Sequence, residues 1–299
     1  MFFYLKCTLS VVLVVSSAAT TLGECGRVFQ NIPGPFSFGK YYVDETGTRW
    51  SAGGGGTLSI QPADSEAKVI KLSTEADFHS VFVVNRQFGF AVGDLENSVS
   101  RQGSIFATGD GGQTWLEQKP NVKAELRAVN CLDYLNCWVV GEGGTILRSS
   151  NGGVKWNLSK VKQKETLLAV DFVNDRVGWT VGSNGLVLKT IDGGVTWNEE
   201  KTLLGSEKST FSAWRGIVFR DDNMGCIAGY NRIACTSDGG NSWNRTIFDD
   251  AKVMYNFINF VFYADRIRIL EECGEDFVST DSGKTWKRVK KGKSFLSNL

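Results

Sequence analysis

Histidine is almost absent from this sequence: His79 is the one histidine among 299 residues. Ser-His-Asp and Cys-His nucleophilic sites both need a histidine, so any such site would have to use His79. No set of histidines and cysteines has metal-ligand spacing, and no metal is expected. The glycine run Gly53–Gly56 lacks the helix and Lys-Ser/Thr pair of a phosphate-binding loop. These absences argue against most catalytic and cofactor-dependent functions, and no cofactor is expected.

The chain also lacks an excess of either charge, with 33 basic and 32 acidic residues. Nucleic acids and anionic membrane surfaces attract proteins with a strong positive excess. The balance therefore gives no indication of a nucleic-acid partner.

The sequence also lacks a long apolar run near the N-terminus. The run Leu9–Val15 is far too short to cross a bilayer. Residues 1–23 have the order of a secretory signal: Lys6, the apolar run, and then the small residues Ser16–Ala19. An uncleaved anchor is the alternative, and Lys6 interrupts the run that would form it. We expect a secreted chain with no membrane span after cleavage.

What the sequence does have is a repeat of the form Ser/Thr-x-Asp/Asn-x-Gly-x-x-Trp, here called the box. Its acid or amide and its tryptophan recur five times, as Asp110 and Trp115, Asn151 and Trp156, Asp192 and Trp197, Asp238 and Trp243, and Asp281 and Trp286. The spacing between successive boxes is 41, 41, 46 and 43 residues. Such a period is typical of one four-stranded blade of a β-propeller.

Each repeat predicts four strands, called A to D in chain order, with the box in the turn between C and D. Most B strands carry an aromatic residue three positions before a glycine, as in Trp138 with Gly141 and Trp179 with Gly182. Trp50 with Gly53 reveals a further N-terminal repeat that has lost its box. The sequence therefore predicts an all-β propeller of six blades, with seven as the alternative, over residues 24–292, followed by a tail at 293–299. Residues 28–32 are expected to add an outer strand to the last blade and close the ring.

The repeated acids are expected to be structural. A box carboxylate can accept N–H bonds across its turn, glycines supply positive φ, and the tryptophan packs between blades. Five acids at blade spacing lie around a rim and cannot converge on one substrate.

The segment Gly178–Gly182 followed by the box at Asp192 resembles the photosystem II stability and assembly factor family of Asp-box (BNR-type) propellers. The similarity runs from about Phe29 to Val289. It implies a non-enzymatic chaperone that holds a protein partner during assembly. Together with the signal segment, this resemblance predicts an exported binding scaffold.

Asp boxes also occur in sialidases and xyloglucanases, so a glycan-binding or glycosidase-like propeller is the alternative function. A sialidase would carry an Arg-Ile-Pro segment near its N-terminus, where this chain has Asn31, Ile32 and Pro33. A xyloglucanase-like enzyme would need two propellers, and the length supplies one. An enzyme is therefore not expected.

Six cysteines remain after signal cleavage, and three disulfides are expected in an oxidising compartment. Cys131 and Cys137 flank one A–B turn, and Cys226 and Cys235 face each other across a B and a C strand. Cys25 and Cys273 would then join the first and last repeats, although spacing alone does not determine the pairing. Glycosylation motifs begin at Asn157 and Asn244, each directly after a box tryptophan.

The partner site is expected on the face opposite the boxes, where A strands begin and B–C turns meet. Aligned repeats place one set of residues at the same A-strand position: His79, Arg127, Leu168, Arg215 and Ile258. Trp214 and Arg101, the latter in the longest B–C insertion, are expected nearby. Arginine and tryptophan are typical of binding hot spots, so these residues predict a site for a protein or acidic peptide on a monomeric chain. Pairing of Arg127 and Arg215 with neighbouring acids such as Asp171 is the alternative.

Overall fold

The structure, a computed structural model, describes residues 38–44, 46–62, 65–96, 101–159, 161–200, 213–247, 257–263, 266–271 and 276–289. Several expectations lie outside these residues. They are the signal segment 1–23, the ring-closing strand 28–32, both outer domain boundaries and the Cys25–Cys273 disulfide.

The described residues form six antiparallel four-stranded sheets, each built from strands consecutive in sequence. Their strands are: in blade 1, β1 Phe38–Val43, β2 Arg49–Gly53, β3 Thr57–Gln61 and β4 Lys68–Lys71; in blade 2, β5 Asp77–Val83, β6 Gly89–Glu96, β7 Arg101–Thr108 and β8 Leu116–Gln118; in blade 3, β9 Leu126–Cys131, β10 Asn136–Gly141, β11 Ile146–Ser150 and β12 Asn157–Leu158; in blade 4, β13 Leu167–Phe172, β14 Gly178–Gly182, β15 Val187–Thr190 and β16 Asn198–Glu199; in blade 5, β17 Trp214–Phe219, β18 Gly225–Gly229, β19 Arg232–Thr236 and β20 Asn244–Ile247; in blade 6, β21 Phe257–Tyr263, β22 Arg266–Glu271, β23 Asp276–Ser279 and β24 Lys287–Val289.

This is the architecture of a six-bladed β-propeller, and the predicted fold is confirmed. Trp50 lies in the second strand of a complete blade that has no box. Helical structure in the described residues is limited to two three-residue 3₁₀ turns, Glu142–Gly144 and Ser183–Gly185. Within those same residues, no helix is long and apolar enough to cross a membrane.

The first strand of each blade is interrupted by a β-bulge near its start. In blade 3, for example, Leu126 pairs with Gly141 and Ala128 with Val140, so Arg127 has no direct partner across the ladder. The residues skipped in blades 2 to 6 are those that the repeat alignment brings together: His79, Arg127, Leu168, Arg215 and Ile258. Bulges re-aim side chains and are frequent next to functional sites.

The two ends of each sheet carry different turns. At one end, here called the B–C end, the turn between strands B and C bonds to residues that precede strand A; Glu142 N–H, for example, donates to Glu125 O at 2.9 Å. At the other, the box end, a box glycine bonds to the A–B turn, as where Gly193 N–H donates to Arg176 O at 2.8 Å. The bulged residues lie towards the B–C end, away from the boxes.

Blades 3 and 4, and likewise blades 4 and 5, are joined by stacked aromatic rings. Trp138 of blade 3 stacks on Phe172 of blade 4, with ring centroids 3.6 Å apart, and the box residue Trp197 meets Phe172 edge-on at 5.8 Å. Blades 4 and 5 repeat the arrangement with Trp179, Phe219 and Trp243. The B-strand aromatic, the last A-strand residue and the box tryptophan therefore form one interblade unit.

Two disulfides each link directly opposite residues of adjacent strands. Cys131 pairs with Cys137 across β9 and β10, and Cys226 with Cys235 across β18 and β19. A Cβ on the box glycine Gly283 of blade 6 would clash with Cys235 Sγ, so this glycine packs on the second disulfide. In blade 4 the equivalent glycine, Gly194, packs on Trp138, so the disulfide occupies the place of the B-strand aromatic.

The box acids accept hydrogen bonds within their own turns. Asp192 Oδ1 accepts from Thr190 Oγ1 at 2.8 Å and from Thr196 N–H at 2.9 Å, while its Oδ2 accepts from Thr196 Oγ1 at 2.6 Å. Gly194 takes a φ of +87°, which favours glycine. The same pattern recurs at Asp110, Asp238 and Asp281.

We predict that box hydrogen bonding makes the fold acid-sensitive. The Thr114 hydroxyl and N–H lower the pKa of Asp110 from 3.8 to about 2, and the pKa values of Asp238 and Asp281 are also lowered to about 2. A lowered folded pKa contributes stability above the unfolded pKa that is lost as pH falls through the folded value. Thermal unfolding should therefore show a falling midpoint between about pH 4 and about pH 2.

The variant Asp110→Asn, Asp238→Asn, Asp281→Asn should show a smaller fall over the same range. Asparagine is tolerated at this position, since Asn151 Oδ1 accepts from Ser149 Oγ and Lys155 N–H in blade 3. An acid-induced fall as large as that of the unmodified chain would show that other groups cause it.

Candidate functional site at the B–C end

Six charged or ionisable side chains from blades 2 and 3 meet at the B–C end. This set, here called the His79 cluster, consists of His79, Asp94, Arg101, Glu125, Arg127 and Glu142. His79 and Arg127 come from the bulges of β5 and β9. Asp94 and Arg101 lie in the long β6–β7 hairpin, whose pairing extends to Glu96 opposite Arg101.

Glu125 is the common partner of the three basic side chains. Its Oε1 lies 2.9 Å from His79 Nε2 and 2.6 Å from an Arg127 guanidinium nitrogen, and its Oε2 lies 2.7 Å from Arg101. Asp94 repeats part of this role, with Oδ1 2.7 Å from His79 Nε2 and Oδ2 3.1 Å from Arg101 Nε. Two carboxylates therefore hold His79 and Arg101 between them.

The two central acids are buried, whereas the basic groups reach solvent. The side chains of Asp94 and Glu125 are each 6% exposed, against 34% for Arg127 and 26% for His79. Burial raises the pKa of Glu125, and the charges of Arg127 and His79 act in the opposite direction. The cluster presents partly exposed cationic side chains on a buried acidic base.

The sequence-based prediction found the basic members of the cluster and missed its acids, Asp94, Glu125 and Glu142. Two arginines face three carboxylates, so the cluster has a net charge of −1 when His79 is neutral and the acids are ionised. Arg127 pairs with Glu125 rather than with Asp171. One signal was available, since Glu125 stands two residues before Arg127 at the start of the same strand.

His79, Asp94 and Glu125 also place nitrogen and oxygen atoms of metal-ligand type within 4.8 Å of one another. Arg101 and Arg127 are paired with oxygens of these same carboxylates. A metal ion would have to displace both guanidinium groups. We therefore interpret the His79 cluster as an ion-pair network.

Blade 5 presents two arginines stacked on aromatic rings. The Arg215 guanidinium lies 4.6 Å from the centre of the Tyr230 ring, and that of Arg232 lies 4.1 Å from the Trp214 ring. Trp214 is only 2% exposed, so the expectation that its ring contacts a partner needs correction. Trp214 is the first residue of its strand and opposes Gly229, as the buried Leu167 opposes Gly182, and Arg232 covers its ring.

The remaining sequence-predicted residues are spread over several elements. Leu168 is half-buried in the bulge of β13, and Ile258 lies in the bulge of β21. Asn157 and Asn244 begin the outermost strands β12 and β20 with exposed side chains. Their glycosylation stays a prediction.

Asp171 links three blades near the inner strands. Its Oδ1 accepts from Asn130 Nδ2 of blade 3 at 3.1 Å, and its Oδ2 accepts from Phe219 N–H of blade 5 at 2.6 Å. Burial raises the pKa of Asp171 from 3.8 to about 7, although the Phe219, Phe172 and Asn130 hydrogen bonds oppose the rise. Asp171 is therefore a titratable group of the blade interface.

We predict that Asp171 makes the fold less stable as pH rises towards neutrality. A raised folded pKa contributes stability that is complete below the unfolded value of 3.8 and lost as pH rises through about 7. The unfolding free energy of the unmodified chain, relative to that of Asp171→Asn, should fall by on the order of 4 kcal/mol over this range, since one pKa unit corresponds to about 1.4 kcal/mol. Asp175→Asn, at an exposed acid of the same blade, should keep the unmodified profile, and an unchanged profile in Asp171→Asn would refute the prediction.

A model of the family described as photosynthesis system II assembly factor YCF48 matches residues 59–164 and 154–215, together more than half of the chain. The chain belongs to this family. The matched residues include the whole His79 cluster, Trp214 and Arg215. No curated protein sequence matches the chain.

Solved structures that are similar to this chain include two of YCF48. YCF48 bound to D1 peptide is 18% identical, with 87% of this chain and 94% of that chain covered and a TM-score of 0.46. YCF48 from Cyanidioschyzon merolae is 14% identical, with 83% and 96% covered and a TM-score of 0.48. The GH74 enzyme of Niastella koreensis is 12% identical, with 88% of this chain and 47% of that chain covered and a TM-score of 0.63. This last likeness is one of fold alone.

Proposed function

We propose that this chain is an exported, non-enzymatic scaffold that holds a protein or acidic peptide segment at the B–C end, at the mouth of the propeller channel. Membership of the assembly-factor family supports binding rather than catalysis. The observation that carries the choice of face is the recurrence of bulged basic residues there, with His79, Arg127 and Arg215 at equivalent positions in three blades.

The side chains at this end are pre-positioned for a carboxylate partner. Glu125 fixes Arg127 through one guanidinium nitrogen, and Tyr230 supports the face of Arg215. A guanidinium held in place loses less conformational freedom when it binds, so more of the interaction free energy is retained. At the box end, by contrast, the acids are engaged in their own turns.

A glycosidase or glycan-binding propeller is the second candidate, favoured by one observation. Retaining glycosidases hold two carboxylates about 5 Å apart, one with a raised pKa. Asp94 and Glu125 are similarly close, and burial raises the pKa of Glu125. Both are nearly inaccessible, however, and each is paired with Arg101, so a sugar would first have to displace that guanidinium group.

Selection from a random peptide-display library on the folded chain tests the proposed function. Enriched peptides, here called the selected peptides, would be synthesised and their affinities measured by fluorescence anisotropy. We expect enrichment of Asp and Glu, and competition among selected peptides for one site. Selected peptides without acidic residues would contradict the proposed partner chemistry.

A glycan array and a panel of fluorogenic glycosides test the alternative. Retention on the array, or hydrolysis that Glu125→Gln abolishes, would replace the scaffold function with a carbohydrate one. The scaffold function predicts neither.

A further inference from the structure

His79 occupies an unusual position within the His79 cluster. Its single Nε2 atom lies 2.7 Å from Asp94 Oδ1 and 2.9 Å from Glu125 Oε1, so one ring nitrogen faces two carboxylates. The same Glu125 oxygen lies 2.6 Å from Arg127. His79 and Arg127 therefore share one buried acceptor.

Because the two side chains share this acceptor, the charge of the His79 imidazole affects how strongly the Arg127 charge is neutralised. A neutral ring offers Glu125 at most a part of one N–H, and Arg127 then supplies the neutralising charge. A protonated ring would bring a full positive charge to both carboxylates, so that less of the Arg127 charge is needed to neutralise Glu125. Histidine is the side chain that ordinarily changes charge between about pH 5 and pH 8.

We infer that His79 is a proton-operated regulator of the binding site, whose protonation leaves the positive charge of the still-positioned Arg127 available to a partner carboxylate. This inference rests on the proposed function. It goes beyond that function by making the affinity for an acidic segment increase as pH falls.

The charged side chains around His79 come from the three neighbouring parts of blades 1, 2 and 3. The long hairpin contributes Asp94 from β6 and Arg101 from β7, and blade 3 contributes Glu125, Arg127 and Glu142. On the blade 1 side, Asp77 accepts the Gly55 N–H and Glu75 pairs with Lys71. His79 is the one histidine of the whole sequence, so imidazole signals report on it alone.

The binding test measures the affinity of the selected peptides at about pH 5.5 and about pH 8. The unmodified chain should bind at least about fivefold more tightly at the lower pH, and His79→Gln should lose this ratio. Asp171→Asn should retain it, which shows that Asp171, whose pKa is raised to about 7, does not cause the ratio. Equal affinity at both pH values, or an unchanged ratio in His79→Gln, would overturn the inference while leaving binding at the B–C end intact.

A second measurement needs no peptide and so separates this inference from the proposed function. In a ¹⁵N NMR titration, the side-chain Nε signal of Arg127 should move with the same midpoint as the His79 imidazole signals. The Arg127 signal should stay still over that range in His79→Gln. An Arg127 signal whose chemical shift does not change while the imidazole signals of the unmodified chain titrate would overturn the inference, whether or not peptides are selected.

Discussion

Replacing Phe172 with alanine is expected to lower the free energy of unfolding by about 4 kcal/mol. Phe172 is 5% exposed, stacks on Trp138 of the preceding blade and meets the box residue Trp197 of its own. Truncation removes the buried ring and both aromatic contacts, and it leaves a cavity that the rigid sheets can close only partly. Urea unfolding followed by tryptophan fluorescence measures the change.

Two further variants show whether the interblade unit is the cause. Phe219→Ala removes the equivalent ring between Trp179 and Trp243 and should cost a similar amount. Leu158→Ala, on an outermost strand where the side chain is 62% exposed, should change stability by less than about 0.5 kcal/mol. A loss below about 1 kcal/mol for Phe172→Ala would show that the stacked rings do not hold the blades together.

The sequence was sufficient to predict the six blades because their signals are local and repeated. The box recurs in five blades, and a B-strand aromatic residue three positions before a glycine recurs in four, so most blades can be recognised from their own residues. Even the blade without a box was recognisable from Trp50 and Gly53, which lie in β2 as expected. Alignment of the repeats also predicted which residues share the bulge position.

The contacts of the candidate site were harder to predict, because they join different blades. Arg101 meets Glu125 and Glu142 only when the long hairpin of blade 2 lies against blade 3. The repeat pattern does not predict contacts between side chains of different blades, because the turn residues that make them differ from one blade to the next. Trp214 is a different case: its alignment with the buried Phe78, Leu126 and Leu167 already indicated a core position.

The double variant Arg127→Ala, Arg215→Ala is expected to weaken binding of the selected peptides by at least about 30-fold, or about 2 kcal/mol. Both side chains occupy bulge positions at the B–C end, and each is held in place, Arg127 by Glu125 and Arg215 by Tyr230. Their loss removes two pre-positioned carboxylate-binding groups. Glu125 keeps His79 and Arg101 as partners, so the fold should survive, and circular dichroism and thermal unfolding check this.

A charge-matched control separates this site from general electrostatic attraction. The control variant Lys155→Ala, Arg176→Ala also removes two positive charges, but from exposed positions at the box end. Its affinity for the selected peptides should stay within about twofold of the unmodified chain, because exposed charges away from a contact contribute little.

The comparison of these two double variants, by fluorescence anisotropy with the same selected peptides and buffer, tests the account most directly. Binding at the B–C end predicts a loss of at least about 30-fold for Arg127→Ala, Arg215→Ala and almost none for Lys155→Ala, Arg176→Ala. Unchanged affinity in the folded first variant, together with lost affinity in the second, would place the partner at the box end and contradict the account.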